Sequence, residues 1–120
     1  MSIFRYNEST TLSSLDPAFA KDKATIWATS QLFNGLVKMD NQSRIVPSIA
    51  EDWDISSDGL KYTFYLRDDV FFHSHPIFNK VKRKVLASDF EYSFNRLIDE
   101  ELAAPGAWVL NNVDSFFAKI

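Results

Sequence analysis

The sequence contains no cysteine and only three glycines among its 120 residues. Without cysteine the chain has no disulfide, no thiolate nucleophile and no cysteine-ligated metal site. Its few glycines supply no glycine-rich phosphate-binding loop. No apolar run approaches the ~20 residues of a membrane-spanning helix. The first residues lack the basic and apolar regions of a signal peptide, but a mature chain would look the same.

An excess of positive charge is also lacking, because the formal net charge is −3. Nucleic-acid binding would call for a basic patch, so we expect no nucleic-acid partner. The one basic cluster consists of Lys80, Lys82, Arg83 and Lys84. We interpret it as a solvated loop, with contact to a polyanion as the minor alternative. The chain is 46% hydrophobic and 24% charged, which is typical of one soluble globular domain.

The sequence offers little chemistry. His73 and His75 could supply two metal ligands, since side chains two apart in a strand share a face, but no nearby carboxylate has an obvious metal-ligand spacing. No nucleophile-elbow pattern is present, and the adjacent carboxylate pairs read as solvated groups. We therefore predict that the chain is not an enzyme and needs no cofactor. A small metal-dependent enzyme that uses the two histidines remains an alternative.

Helical periodicity appears twice. The first helix is predicted from about Lys23 to Leu36, with Asp22 as N-cap and Gly35 as a left-handed terminal residue. The second is predicted over 88–100, where Ser88 and Glu91 have capping-box spacing. A third helix or mixed segment is expected over 107–118.

Strand alternation is clearest over 60–67, where one face would join Trp53 in the core. The members of that face are Leu60, Tyr62, Phe64 and Leu66. The turn at 56–59 predicts an antiparallel hairpin between 51–55 and 60–67. Weaker strands are expected at 3–6 and 70–73, a turn at 39–42 and a loop over 74–84. The fold class is thus a mixed α/β chain, a hairpin-rich sheet with two or three helices.

Several motifs follow one another at characteristic spacing: Leu15-Asp16-Pro17, Gln31 to Val37, Ile45 to Trp53, Ser56 to Arg67, Val70 to His73, and Ala87 to Leu97. In this order they resemble the first part of the family-5 extracellular solute-binding proteins, which serve peptide and nickel ABC importers. The resemblance covers about residues 5–110. It departs from the family at Ser74-His75, at Leu86, and at 78–85, which looks like an insertion.

The resemblance implies a fragment of a type II periplasmic-binding-protein fold, in which ligand lies between two lobes and hinge closure traps it. Residues 1–40 would begin lobe I, and 41–120 would form part of an extra domain. Two segments would face the ligand: Lys21, Asp22 and Lys23, and the stretch with Gly106 and Trp108. Each of these side chains also has a purely structural interpretation. Lys21 and Lys23 could be ordinary surface lysines, Asp22 a helix cap and Trp108 a core residue.

By the same resemblance, the partners would be short peptides or related small solutes and an ABC permease. The location would be periplasmic or at the cell surface, with a lipid anchor left open. The apolar end near Ile120 looks like a cut inside a larger protein, and we expect the chain to self-associate through 3–37. A stand-alone protein-interaction module is the main rival reading.

Overall fold

The computed structural model describes residues 3, 5 and 7–119. The elements are a 3-10 turn at Pro17–Phe19, helix α1 at Lys23–Leu32, strands β1 at Val37–Met39, β2 at Ile45–Pro47, β3 at Ala50–Ile55 and β4 at Tyr62–Leu66, a second 3-10 turn at Pro76–Phe78, helix α2 at Ala87–Leu97, and a third 3-10 turn at Ala107–Leu110. This confirms the mixed α/β class. Of the strand predicted at 3–6, positions 4 and 6 lie outside the described residues. Within the described part, no helix has the length and apolar character needed to cross a membrane.

The chain forms two compact units. One combines the residues up to Phe33 with Arg96–Asp114, and the other combines Asn34–Asn95 with the residues from Ser115 onward. The predicted division into a lobe over 1–40 and an extra domain over 41–120 stays a prediction.

Helix α1 begins where the sequence predicts and ends earlier. The Asp22 carboxylate accepts a hydrogen bond from the Thr25 N–H at 2.9 Å, which confirms the N-cap. The helix ends at Leu32 rather than Leu36, and Gly35 does not have a positive φ. The reason is tertiary: the carbonyls of Gly35 and Leu36 accept hydrogen bonds from Ile49 and Ala50, at 3.2 and 2.9 Å.

A short hairpin follows α1, and the sequence did not predict its strands. Strands β1 and β2 pair antiparallel, from Val37 opposite Pro47 to Met39 opposite Ile45. The predicted turn between them is present. One oxygen of the Asp40 carboxylate accepts the N–H groups of Gln42 at 2.8 Å and Arg44 at 3.0 Å, which closes the turn.

The predicted second hairpin is confirmed by the antiparallel pairing of β3 with β4. Its turn depends on Gly59, which has a φ of 71°, and on Asp58, which accepts the Leu60 N–H at 3.0 Å. Trp53 lies opposite Phe64, and both side chains are half-buried.

The predicted core face of this hairpin is wrong at one end. Leu66 is half-buried, whereas Tyr62 is exposed and Leu60 is 84% exposed. The end of the hairpin away from the turn is the covered end. There, the Arg67 N–H donates to the carbonyl of the buried Ile49 at 3.0 Å. The turn end extends beyond this cover, so its apolar residues meet solvent.

The third strand predicted over 70–73 is wrong, because only Phe71 forms a bridge, to Lys84. The intervening segment is a loop as predicted, with a 3-10 turn inside it. Asn79 and Lys80 follow that turn with φ values of 48° and 64°. Such left-handed conformations help the chain reverse its direction within the loop.

Helix α2 is confirmed in position but not in its cap. The Leu86 N–H donates to the Asp89 carboxylate at 2.8 Å, so Asp89 caps the helix in place of the predicted Ser88–Glu91 pair. Glu91 instead accepts the Ala118 N–H at 3.2 Å. The Phe94 ring packs against Phe116, with ring centroids 5.1 Å apart.

Of the helix or mixed segment expected over 107–118, the mixed alternative is observed, because only the 3-10 turn at 107–110 is helical. Among the described residues, buried side chains are mostly small. They are Ala18, Ala24, Thr25, Thr29, Ile49, Ala50, Val85 and Ala104. The large rings contribute at most partial burial, so each adds less than a fully buried ring would.

We expect Trp53→Ala to destabilise the chain by about 1.5–2.5 kcal/mol, roughly half the 3–5 kcal/mol of a fully buried ring. Lys61→Ala, at an exposed position before β4, should change the unfolding free energy by less than about 0.5 kcal/mol. Urea denaturation of both variants measures this. Equal losses would show that the two faces of the hairpin are assigned wrongly.

Candidate functional site

The Leu15-Asp16-Pro17 motif forms a capped 3-10 turn. Pro17 occupies the first position of the turn, where its missing N–H costs no hydrogen bond. The Asp16 carboxylate accepts the Ala18 N–H at 3.0 Å, and Ala18 is buried. The motif therefore fixes the direction in which the chain enters α1.

Asp16 also binds Arg96, which lies 80 residues away at the end of α2. The two guanidinium nitrogens contact the two carboxylate oxygens at 2.8 and 2.5 Å. Both side chains are about one-third exposed, at 31% and 32%. A bidentate arginine–carboxylate pair fixes orientation as well as distance. The hydrogen bonds from Arg96 lower the pKa of Asp16 most, outweighing partial burial, and the Ala18 N–H lowers it further.

The first predicted ligand segment lies at the N-terminus of α1. Asp22 accepts both the N–H and the hydroxyl of Thr25 at 2.9 Å, and Thr25 is fully buried. The hydrogen bond from the Thr25 N–H lowers the pKa of Asp22 most, and the bond from the Thr25 hydroxyl lowers it next. The charge of Lys21 makes a smaller contribution. The Asp22 carboxylate is thus engaged within its own helix. Lys21 and Lys23 are exposed, so their ammonium groups are accessible to a ligand.

The second predicted ligand segment lies at the third 3-10 turn. Gly106 precedes the turn with φ −90° and ψ 0°, and a Cβ there would meet no atom within 4 Å. The glycine is therefore not required by local packing. Trp108 is 71% exposed, which excludes its alternative reading as a core ring. A shallow depression of about 360 Å³ lies beside this turn and has a mixed polar and apolar lining of Ile98, Asp99, Glu100, Ala103, Ala104, Ala107, Leu110, Asn111 and Val113.

Both predicted segments belong to the same compact unit. The hydrogen bonds described for Asp22 and for the 3-10 turn stay within each segment. The assignment of Lys21, Asp22, Lys23, Gly106 and Trp108 to ligand binding stays a prediction. Within this unit, the side chains of Lys21, Lys23 and Trp108 are exposed to solvent.

The contacts of His75, one of the two histidines of the alternative metal site, are structural. The Nδ1 atom of His75 accepts the Ile77 N–H at 3.2 Å, and the His75 ring packs edge-on against Phe78. Across the described residues, no group of three or more His, Cys, Asp or Glu side chains is arranged to hold a metal ion. The observed role of His75 is to cap the 3-10 turn at 76–78.

Sequence reasoning missed the pairing of Asp16 with Arg96. Asp89, also on α2, has a separate partner, because it pairs with Arg83 at 2.6 Å. The sequence did contain one hint of this pair. Asp16 and Arg96 have opposite charges, and each belongs to one of the motifs, before α1 and in α2 respectively.

The comparisons with known proteins identify the family of the chain. Residues 44–119 match the family model described as "Bacterial extracellular solute-binding proteins, family 5 Middle". That match covers more than half of the chain, so the chain belongs to the family-5 extracellular solute-binding proteins. This confirms the resemblance drawn from the motifs.

Two curated relatives illustrate the similarity. The chain is 40% identical over 88 residues to Di/tripeptide-binding protein 2 of Pseudomonas aeruginosa, covering 72% of this chain and 16% of that protein. It is 38% identical over 96 residues to the periplasmic murein peptide-binding protein MppA of Escherichia coli, covering 80% of this chain and 16% of MppA. The chain thus spans about one-sixth of the length of these relatives, which are binding proteins rather than enzymes.

Two solved structures share the fold. The periplasmic binding protein DppA from Helicobacter pylori, in complex with peptide STSA, matches with a TM-score of 0.67 and 38% identity, covering 80% of this chain and 19% of DppA. NikZ from Campylobacter jejuni, in complex with Ni(L-His), matches with a TM-score of 0.72 and 26% identity, covering 88% of this chain and 20% of NikZ. These neighbours confirm the periplasmic-binding-protein fold predicted for the chain.

Asp16→Asn tests the ion pair and leaves the turn cap in place, because an asparagine oxygen can still accept the Ala18 N–H. At neutral pH we expect a loss of about 1 kcal/mol in the unfolding free energy. The folded-state pKa of Asp16 is lowered. Its stabilisation should therefore be complete above the unfolded value of about 3.9 and disappear as pH falls through the lower folded value.

Chemical denaturation at several pH values measures the difference between the two chains. Asp69→Asn is the matched control, because Asp69 pairs with Arg67 only two residues away at an exposed position. A pH-independent difference between Asp16→Asn and the unmodified chain would contradict the role of the Asp16 charge.

Proposed function

We propose that this chain supplies part of the substrate-binding component of an ABC importer for short peptides. The observation that carries the proposal is the family match over residues 44–119, joined to 38% identity with a DppA solved with a bound peptide. The names of the curated relatives point to the same substrate class. In the whole protein, the ligand would lie between two lobes and be released to a membrane permease.

Within this chain the proposed ligand contacts come from exposed groups rather than from the capping carboxylates. Lys21 and Lys23 can donate hydrogen bonds to peptide carbonyls or to a terminal carboxylate. The exposed indole of Trp108 can pack on apolar ligand groups. Contacts to backbone atoms carry no information about side chains, which would give broad peptide specificity. No catalytic step is proposed.

The proposed location is the periplasm or the outer cell surface, because relatives such as MppA are periplasmic. Attachment through a lipid anchor remains part of the proposal. A nickel chelate is a second candidate ligand, favoured by the similarity to NikZ in complex with Ni(L-His). The higher identity to the peptide-bound DppA favours the peptide.

A chimera tests the proposed function directly. The segment of Helicobacter pylori DppA that matches this chain is replaced by the corresponding residues of the chain, and binding of peptide STSA is measured by calorimetry. We expect the chimera to bind. Trp108→Ala within it should weaken binding at least about fivefold, as for a residue worth about 1 kcal/mol, whereas Lys61→Ala should not.

The 120-residue chain alone is the companion measurement. Because ligands of this kind are enclosed by most of a cleft, a chain with a sixth of the protein's length should show no peptide binding. A folded chimera that ignores STSA, or micromolar binding by the chain alone, would contradict the proposal.

The chain alone should also self-associate through residues 3–37. Ile26, Leu32 and Phe33 are each about half exposed. Their burial against a second copy would be favoured by about 25 cal/mol per Å² of apolar surface, and a symmetric dimer is the simplest closed form. Sedimentation at increasing concentration measures this. A strict monomer at every concentration, or unchanged association of Leu32→Ser/Phe33→Ser, would contradict it.

A further inference from the structure

Residues 71–86 form a closed loop, called here the basic loop, that contains none of the proposed ligand contacts and contributes only Val85 to the described core. Its two ends are joined by backbone hydrogen bonds. The Phe72 N–H donates to the Arg83 carbonyl at 2.8 Å, and the Val85 N–H donates to the Val70 carbonyl at 3.0 Å. The residues between these bonds leave and return at the same place, so the loop is a distinct surface feature.

The tip of the basic loop is ordered by its own contacts. The Phe78 N–H donates to the His75 carbonyl at 3.0 Å, and the Val81 N–H donates to the Phe78 carbonyl at 2.8 Å. Beneath them, the Phe78 ring lies 6.2 Å from the Phe72 ring. A loop held in one conformation loses little conformational entropy when it contacts a partner.

The tip carries positive charge that the described residues do not neutralise. Of the four cations in the loop, Arg83 is paired with Asp89 at 2.6 Å. The pKa of Asp69 is lowered chiefly by its hydrogen bonds with Arg67, and the charge of Lys84 adds only a small contribution. Lys80 and Lys82 form no ion pair among the described residues, and Lys82 lies 5.8 Å from the centre of the Phe71 ring.

Aliphatic side chains stand beside these two lysines. Ile77 is 74% exposed and Val81 is 69% exposed, and the Phe71, Phe72 and Leu86 side chains are each nearly half exposed. The adjoining depression, about 260 Å³ and open to solvent, is lined by Phe78, Val81, Lys82, Arg83, Lys84 and Leu86. Protruding apolar groups flanked by cations thus share one surface.

We propose that the basic loop contacts an anionic membrane surface. Lysines near such a surface each favour binding by about 1 kcal/mol, or roughly fivefold. Aliphatic and aromatic side chains at the same level can enter the boundary between head groups and acyl chains. A lipid surface accepts protruding side chains in any arrangement, whereas a protein partner must offer a pocket for each of them. The protruding Ile77 and Val81 therefore favour lipid over an acidic protein.

The test is cosedimentation of the 120-residue chain with two kinds of vesicle at low salt. One contains equal parts of phosphatidylglycerol and phosphatidylcholine, and the other contains phosphatidylcholine alone. We expect binding to the anionic vesicles only, and weaker binding as salt is added.

Two pairs of variants separate the contributions. Lys80→Gln/Lys82→Gln should weaken binding to the anionic vesicles about tenfold or more. Lys38→Gln/Lys61→Gln removes the same charge from exposed positions elsewhere and should change binding less than about twofold if contact is local. Ile77→Ser/Val81→Ser should also weaken binding, whereas Met39→Ser/Leu60→Ser, equally exposed positions, should not. Circular dichroism confirms that each variant is folded.

Three results would overturn the proposal: no binding of the folded chain to anionic vesicles, equal binding to both kinds of vesicle, or equal losses in the loop variants and their controls. Polyglutamate serves as a protein-like acidic probe. If it binds as tightly as the vesicles and Ile77→Ser/Val81→Ser has no effect, the loop is an acidic-protein contact and the membrane assignment is wrong. The peptide-binding test concerns other residues, so the two proposals can fail separately.

Discussion

The bidentate ion pair between Asp16 and Arg96 is the constraint on which the arrangement of the first compact unit depends. It joins the turn before α1 to the end of α2 across 80 residues of sequence. Because the same carboxylate also caps the 3-10 turn, one side chain fixes both the local path and the distant contact. The two segments proposed to face ligand follow these two anchor points along the chain. We therefore expect this contact to help position both segments.

Carboxylates recur in this supporting role throughout the chain. Asp22 caps α1, Asp58 closes the β3–β4 turn, and Asp89 caps α2 while it binds Arg83. Asp58 and Asp89 belong to motifs by which the family was recognised. Residues that specify a scaffold can be shared among proteins with different ligands, because they make no contact with those ligands. This accounts for similarity to both a peptide-bound and a Ni(L-His)-bound structure.

Local patterns predicted the parts of the fold that local interactions determine. The β3–β4 hairpin, its Asp58–Gly59 turn and the Asp22 cap follow from alternation, turn residues and capping chemistry. The early end of α1 could not be predicted, because it results from pairing of residues 35–36 with 49–50. The exposure of Tyr62 likewise could not be predicted, because it depends on how far the turn end of the hairpin extends beyond the residues that pack against its other end. For the ligand segments, the resemblance to the family indicated positions on the chain, but the partner of Asp16 required the tertiary structure.

The most direct measurement of the central claim is a double-mutant cycle between Asp16→Asn and Arg96→Gln, followed by urea denaturation at neutral pH. If the pair joins the two segments, the losses from the two substitutions should be non-additive, with a coupling energy of about 1 kcal/mol. Losses that add to within about 0.3 kcal/mol would show that the two residues do not support each other. That result would contradict the account of how the first unit is held together.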